Sequence, residues 1–292
     1  MTIYFYAHTD NRRSLRRLRR SAALARELQK EFDVYFMTTE FRSATYAKRE
    51  LGIKKAVGIE DFRNIGTIAQ RGDVIVYDSD EHNEAIHEEM IDFFGTFFRI
   101  SYDPKALKKD KEFLISPHLV GEGIINAVLI DMRFFDSASK NVDRGFFYAD
   151  DDYDRNLEKI APKLAPFELE LVEGFYFFVD VEAKVQSYFK AVHPIEEYFE
   201  VVGGSKLFVS FDPQTALEAA AAGAKSIFVH RSEEEECTPL IERAGVFDSG
   251  YFDPARLQEA ILSAKAPNRD YLHALSVEKA AREMVSILKT NT

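Results

Sequence analysis

Six arginines, Arg12, Arg13, Arg16, Arg17, Arg19 and Arg20, crowd into one short stretch near the start of the chain. A helix beginning at about Ser14 sets them around its first turns. Unpaired backbone N–H groups and the helix dipole already attract anions there. A guanidinium grips phosphate oxygens two at a time, so Arg13, Arg16, Arg17 and Arg20 are candidate phosphate-binding residues. The dipole disfavours each cation at this end by about a few tenths of a kcal/mol, a cost that an external anion would offset. The alternative is a solvated basic face, or one paired with acidic neighbours or a partner chain.

A second constellation lies in Ser205-Lys-Leu-Phe-Val-Ser-Phe-Asp-Pro-Gln-Thr-Ala-Leu-Glu-Ala-Ala-Ala-Ala-Gly-Ala-Lys-Ser-Ile-Phe-Val229. It reads strand, polar loop, small-residue helix, glycine, strand, a βαβ unit with two buried parallel strands. Ligands of such units bind at the carboxyl ends of the strands. That end carries Ser210, Gln214 and Thr215, with Glu218 one turn into the helix.

His8 directly follows an apolar strand, and His118 lies in the loop Ser116-Pro-His-Leu-Val-Gly-Glu-Gly123. Imidazole suits proton transfer near neutral pH, so both are candidate catalytic residues; a turn residue bonded to backbone is the alternative for His8. Asp78 ends the strand Val74-Ile-Val-Tyr-Asp78, where it can orient His8, bind a hydroxyl or cap a helix. Asp150, Asp151, Asp152 and Asp154 offer oxygens to a divalent cation. They lack the glycine and glutamate of a calcium loop, and the reading preferred is a solvated loop capping the next helix. No metal site and no cofactor is expected. His82 and His87 are badly spaced for one metal on one helix face. Cys237 is read as an ordinary buried or half-buried thiol, and Glu233–Glu236 as an acidic helix start.

The elements that position these residues follow from hydrophobic periodicity. The chain has 292 residues and a net charge of -11, with 46% hydrophobic and 30% charged residues. That is enough for one or two domains. Residues 1–54 hold 12 Lys/Arg against 6 Asp/Glu, so the remainder carries -17. The overall acidity argues against a nucleic-acid partner, and no aromatic platform accompanies the arginines. A single cysteine excludes an internal disulfide. No apolar run approaches the roughly 18 residues of a membrane span, and no secretory leader opens the chain; the expected location is cytoplasmic.

Strands are expected at 2–7, 34–37, 55–59, 73–78, 97–101, 113–116 and 127–130, with helices at 14–31, 44–52, 61–70 and 82–95. A second series has strands at 144–148, 167–172, 174–179, 205–210 and 225–229. Its helices fall at 154–165, 181–192, 194–202, 234–244, 253–264 and 276–289. This alternation predicts an α/β fold with parallel sheets. It also predicts two Rossmann-like domains, 1–140 and 141–292, with the crossover in 131–143.

Several segments carry a family resemblance. Arg20, Leu24 and Ala25 match an H-x-x-R-x-x-x-L-A helix. Ala127-Val-Leu-Ile-Asp-Met-Arg-Phe-Phe135 is similar to a "Y-A-L-I-R-x-x-F" connector, and Leu207-Phe-Val-Ser210 with Glu218-Ala-Ala-Ala-Ala-Gly223 to a nucleotide-binding βα unit. The chain thus resembles the UDP-sugar hydrolase of the pseudaminic acid pathway and the related spore-coat polysaccharide biosynthesis proteins. The resemblance implies a GT-B-like α/β fold, two Rossmann-like domains with parallel sheets facing a cleft. It also implies a UDP-linked nucleotide-sugar ligand and a glycosyltransferase or UDP-sugar hydrolase activity in surface-glycan or nonulosonic-acid biosynthesis. Ser210, Gln214, Thr215 and Glu218 would hold the nucleotide, with Glu218 on the ribose, and His8 would serve as base, as a histidine after the first strand does in several GT-B glycosyltransferases. The sequence also departs from the family. Its first-turn histidine aligns with Arg17, the flanking glycines become Arg13, Ser14 and Arg16, and a Gly-Gly loop aligns with Ala149-Asp-Asp-Asp152. These departures raise the alternative of a non-catalytic GT-B-fold relative serving as a binding or assembly subunit.

Overall fold

The computed structural model describes the whole chain except residues 1, 10–13, 80, 82–83, 138, 178–179, 232–237 and 291–292. It divides into two compact units. The first comprises residues 1–10, 17–131 and 274–292, and the second 11–16 and 132–273.

In chain order the first unit contains β1 (Thr2–Ala7), α1 (Arg16–Leu28), β2 (Asp33–Thr38), α2 (Phe41–Arg49), β3 (Ala56–Gly58), β4 (Val74–Asp78), α3 (Glu84–Phe93), β5 (Thr96–Ile100), β6 (Glu112–Ser116) and β7 (Ile124–Asn126). Its strands form one parallel sheet in the order β3-β2-β1-β4-β5-β6-β7. β1 lies between β2 and β4, with Phe5 opposite Phe36 on one side and Val76 on the other. Ile3, Phe5 and Tyr6 are fully buried, as expected of a central strand covered on both faces.

The second unit runs through α4 (Met132–Phe135), β8 (Val142–Phe147), α5 (Asn156–Leu164), β9 (Glu170–Val172), α6 (Val181–Val185), β10 (Ala191–His193), α7 (Tyr198–Gly204), β11 (Ser205–Ser210), α8 (Pro213–Ala221), β12 (Lys225–His230), α9 (Thr238–Arg243), β13 (Phe247–Tyr251), α10 (Pro254–Ser263) and α11 (Arg269–Ala274). Its parallel sheet has the order β10-β9-β8-β11-β12-β13. Its core gathers Phe146, Leu171, Val209, Ile227 and Leu257 from the strands and α10. Both sheets reverse strand order next to their first strand, between β1 and β4 and between β8 and β11. Open α/β sheets form their ligand crevice at the carboxyl ends of such a reversal.

The last helix, α12 (Val277–Thr290), belongs to the first unit. This corrects a second domain that runs unbroken to residue 292. Lys279 Nζ donates to the Asn126 carbonyl at 2.8 Å, and Val128 N–H to the Leu275 carbonyl at 2.7 Å.

Three local expectations also change, and one strand appears where none was expected. Ala127–Ile130 is buried but is not a strand, because its N–H groups turn to Ser116, Leu275, the Tyr102 hydroxyl and Val128 rather than to one neighbour. Residues 174–177 turn instead of extending, with Phe177 N–H bonded to the Gly174 carbonyl; 178–179 lie outside the described residues. The helix expected over 181–192 stops early, and Ala191–His193 joins β9 as the edge strand β10. Phe247–Tyr251, whose Asp, Ser and Gly conceal a strand, pairs with β12 as β13.

Candidate functional site

In the first unit the carboxyl ends of β1 and β4 bring the backbones of His8 and Asp78 together. His8 N–H donates to the Asp78 carbonyl at 2.9 Å. The Asp78 carboxylate, 1% exposed, is held by α1. Arg20 grips it with Nε at 2.7 Å and a terminal nitrogen at 2.6 Å, and the Ser21 hydroxyl donates at 2.9 Å. Arg17 Nε approaches to 3.9 Å. The Arg20 guanidinium also lies over the Tyr102 ring at 4.4 Å. Arg17, Arg19 and Arg20 are all buried and Arg16 is half-buried, so α1 does not present a solvated basic face. Arg12 and Arg13 lie outside the described residues.

His118 is half-buried after β6. Three strand steps separate β6 from β1, roughly 14 Å at the usual strand spacing. The sheet therefore does not place the two candidate bases on neighbouring strand ends. His87 bonds Glu112 at 2.9 Å, and Arg99 reaches the same carboxylate at 2.7 Å. Burial pushes the Glu112 carboxyl up, but bonds from His87, Arg99 and the Lys109 N–H outweigh it and hold it at about 2. His82 lies outside the described residues.

In the second unit the predicted residues do converge, at the β8/β11 reversal. Ser210 is fully buried and turned back on its own loop: its hydroxyl donates to the Asp212 carbonyl at 2.8 Å and accepts the Asp212 N–H at 3.0 Å. Asp212 caps α8. One carboxylate oxygen lies 2.9 Å from both the Thr215 nitrogen and the Thr215 hydroxyl, and the other 2.8 Å from the Ser14 hydroxyl. Glu218 accepts from the Gln214 amide at 3.0 Å and lies 2.5 Å from the Tyr198 hydroxyl, which is 2.8 Å from Thr215 Oγ1. Gln214, Thr215 and Glu218 are at most 2% exposed. Tyr198, absent from the sequence-based set, joins them because it opens α7, which packs against α8. Its position in an apolar-polar helix gives no sign of that role.

In the acidic loop after β8, Asp150 and Asp152 are buried, Asp151 is half-buried and Asp154 is exposed. Asp150 accepts the Leu15 N–H at 2.8 Å and lies 3.1 Å from the Ser14 hydroxyl. Asp152 accepts the N–H groups of Asn156 and Leu157 at 2.7 and 2.8 Å and so caps α5, as read from sequence. Burial raises its carboxyl above the usual range, against the pull of those N–H groups. Asp151 pairs with Arg231, whose guanidinium stacks 4.8 Å from the Tyr148 ring. Among the described residues, no cluster of three or more His, Cys, Asp or Glu side chains is set to hold a metal ion. Glu233–Glu236 and Cys237 lie outside the described residues.

No helix among the described residues is long and apolar enough to cross a membrane. No family model matches the chain, and no curated protein sequence does. Solved structures match it along nearly its whole length. One is a UDP-GlcNAc 2-epimerase from Methanocaldococcus jannaschii in complex with UDP-GlcNAc and UDP, with 12% identity and a TM-score of 0.62, covering 99% of this chain and 100% of that one. A UDP-GlcNAc 2-epimerase from Neisseria meningitidis bound to UDP-GlcNAc has 11% identity and a TM-score of 0.57, with 99% and 100% coverage. CalG4, the calicheamicin glycosyltransferase, has 12% identity and a TM-score of 0.62, with 99% and 98% coverage. At such identities the likeness is one of fold: two parallel-sheet, Rossmann-like α/β units of GT-B type.

Proposed function

We propose that the chain is a nucleotide-sugar-binding protein of the GT-B type. UDP-linked sugars are the ligand, and glycosyl transfer or UDP-sugar hydrolysis in surface-glycan or nonulosonic-acid biosynthesis is the activity. The observation that carries the reading is the convergence of Ser210, Gln214, Thr215 and Glu218 at the β8/β11 reversal. It comes in a fold shared along its whole length with structures bound to UDP-GlcNAc. In this reading Glu218 with Gln214 and Thr215 holds the nucleoside, Arg16 and Arg17 the phosphates, and His8 or His118 takes the proton. Isothermal calorimetry with UDP and UDP-GlcNAc tests it. Binding in the micromolar-to-millimolar range is expected, and Glu218→Gln should weaken it about tenfold, the worth of one buried hydrogen bond.

A second reading, a non-catalytic relative acting as a binding or assembly subunit, is favoured by the internal use of the charged groups. Arg20 is committed to Asp78, and Asp152 and Asp212 occupy helix N-termini where phosphate oxygens would bond. If neither nucleotide binds, even with magnesium present, the enzyme reading is abandoned for this one.

A further inference from the structure

Lys140 lies half-buried in the turn between α4 and β8. Its Nζ donates to the Gly203 carbonyl at 2.7 Å, and the Ser137 hydroxyl donates to the same oxygen at 2.9 Å. Gly203 belongs to the last turn of α7, so the two side chains satisfy a carbonyl that the helix itself leaves open. Among the described residues no carboxylate pairs with Lys140.

Arg269 does the same for two other helices. Exposed at the start of α11, it donates from Nε to the Ala221 carbonyl at the end of α8, at 2.8 Å. One terminal nitrogen, Nη2, donates to the Phe135 carbonyl at the end of α4, at 2.6 Å. Neither bond uses the other terminal nitrogen, Nη1, and no carboxylate among the described residues pairs with this cation either.

A lysine amine becomes nucleophilic when it is desolvated or set beside another cation. Both conditions hold here. Burial, and then the charge of Arg269, bring the Lys140 ammonium below its ordinary range. The carbonyl end of α7 pulls the other way. The bond to Gly203 survives the loss of a proton all the same, since a neutral amine still donates one N–H and keeps its lone pair.

We propose that Lys140 is a site of acylation and that its donor is an acyl phosphate drawn in by Arg269. Arg269 Nη1 takes a phosphate oxygen of the donor. The Lys140 lone pair attacks the acyl carbon. The Nζ–C bond forms and the C–O bond to phosphate breaks. Phosphate leaves with that electron pair and takes up the proton that the nitrogen sheds. The product amide keeps one N–H for the Gly203 carbonyl, so the turn survives, and two like charges become one. The site lies at the amino edge of the second sheet, where α7 ends and β8 begins. It uses none of the residues assigned to a nucleotide-sugar and stands apart from that reading.

Incubation of the full chain with acetyl phosphate at neutral pH, followed by digestion and mass spectrometry of each lysine, tests the proposal. Lys225 and Lys265, exposed lysines of the same unit, serve as references. Lys140 should be acetylated several-fold faster than either. Added inorganic phosphate should slow the labelling of Lys140 and leave the references unchanged. Arg269→Gln should bring Lys140 down to the reference rate. Labelling of Lys140 no faster than that of the references overturns the proposal, and so does fast labelling that inorganic phosphate or Arg269→Gln leaves unchanged. The rate comparison and the phosphate competition need only the wild-type chain, so a variant that fails to fold does not shelter the idea.

Discussion

Arg20 and Asp78 are joined by two short hydrogen bonds in a place without solvent. Breaking such a buried pair from one side typically costs about 3–5 kcal/mol, far more than the pair contributes against an apolar substitute. Arg20→Gln and Asp78→Asn should each lower the unfolding free energy obtained from urea titration by that much. The double variant should cost clearly less than the two losses added together, since the residues are directly coupled. Glu112 behaves differently because it titrates. Its folded value of about 2 lies below the ordinary 4.5. A depressed carboxyl contributes stability that is complete above the ordinary value and is lost as pH falls toward the folded one. The contribution is about 3 kcal/mol. Urea unfolding of wild type and Glu112→Gln should therefore show a stability gap at neutral pH that closes by about this amount near pH 2.

At the scale of elements, Gly145 in the middle of β8 decides how the second sheet packs. A methyl group there would run into the Ser205 hydroxyl and the Phe208 ring of the neighbouring strand β11. Gly145→Ala should cost about 1–3 kcal/mol of overpacking, visible as a lower thermal midpoint with an unchanged strand signal in far-UV dichroism. The long, continuous apolar strands β1, β4, β11 and β12 were legible because burial on both faces leaves an unbroken run. β10 and β13 were not, since an edge strand needs few apolar residues, and Asp248, Ser249 and Gly250 look like a turn until β12 supplies the partner. The site shows the same division. Ser210, Thr215 and Glu218 could be read from a strand–loop–helix pattern, whereas Tyr198 comes from a different helix, and only the folded unit brings it to Glu218. The arginines could be counted but not placed: nothing in their spacing says that Arg20 turns inward to a strand-end aspartate.

For the whole molecule, the decisive feature is that α12 completes the first unit from the far end of the chain. Val277, Ala280, Met284 and Leu288 are buried. At about 1.5–3 kcal/mol for each large side chain, their loss approaches the entire net stability of a domain, about 5–15 kcal/mol. A chain ending after residue 276 should therefore lose the first unit and keep the second. Limited proteolysis should then release a resistant fragment spanning about 132–273, while residues 17–131 are digested. Survival of both units would show that α12 is dispensable.

The return of α12 also sets an order of events during synthesis. Residues 17–131 leave the ribosome before the second unit, yet the helix that completes them is made after it. At about 5–20 residues per second the wait lasts on the order of ten seconds. The second unit has all its strands before then and can be finished while the first is still open. Though it is translated later, it is the part of this protein that can fold first, and through that interval the unfinished first sheet is what a chaperone would meet.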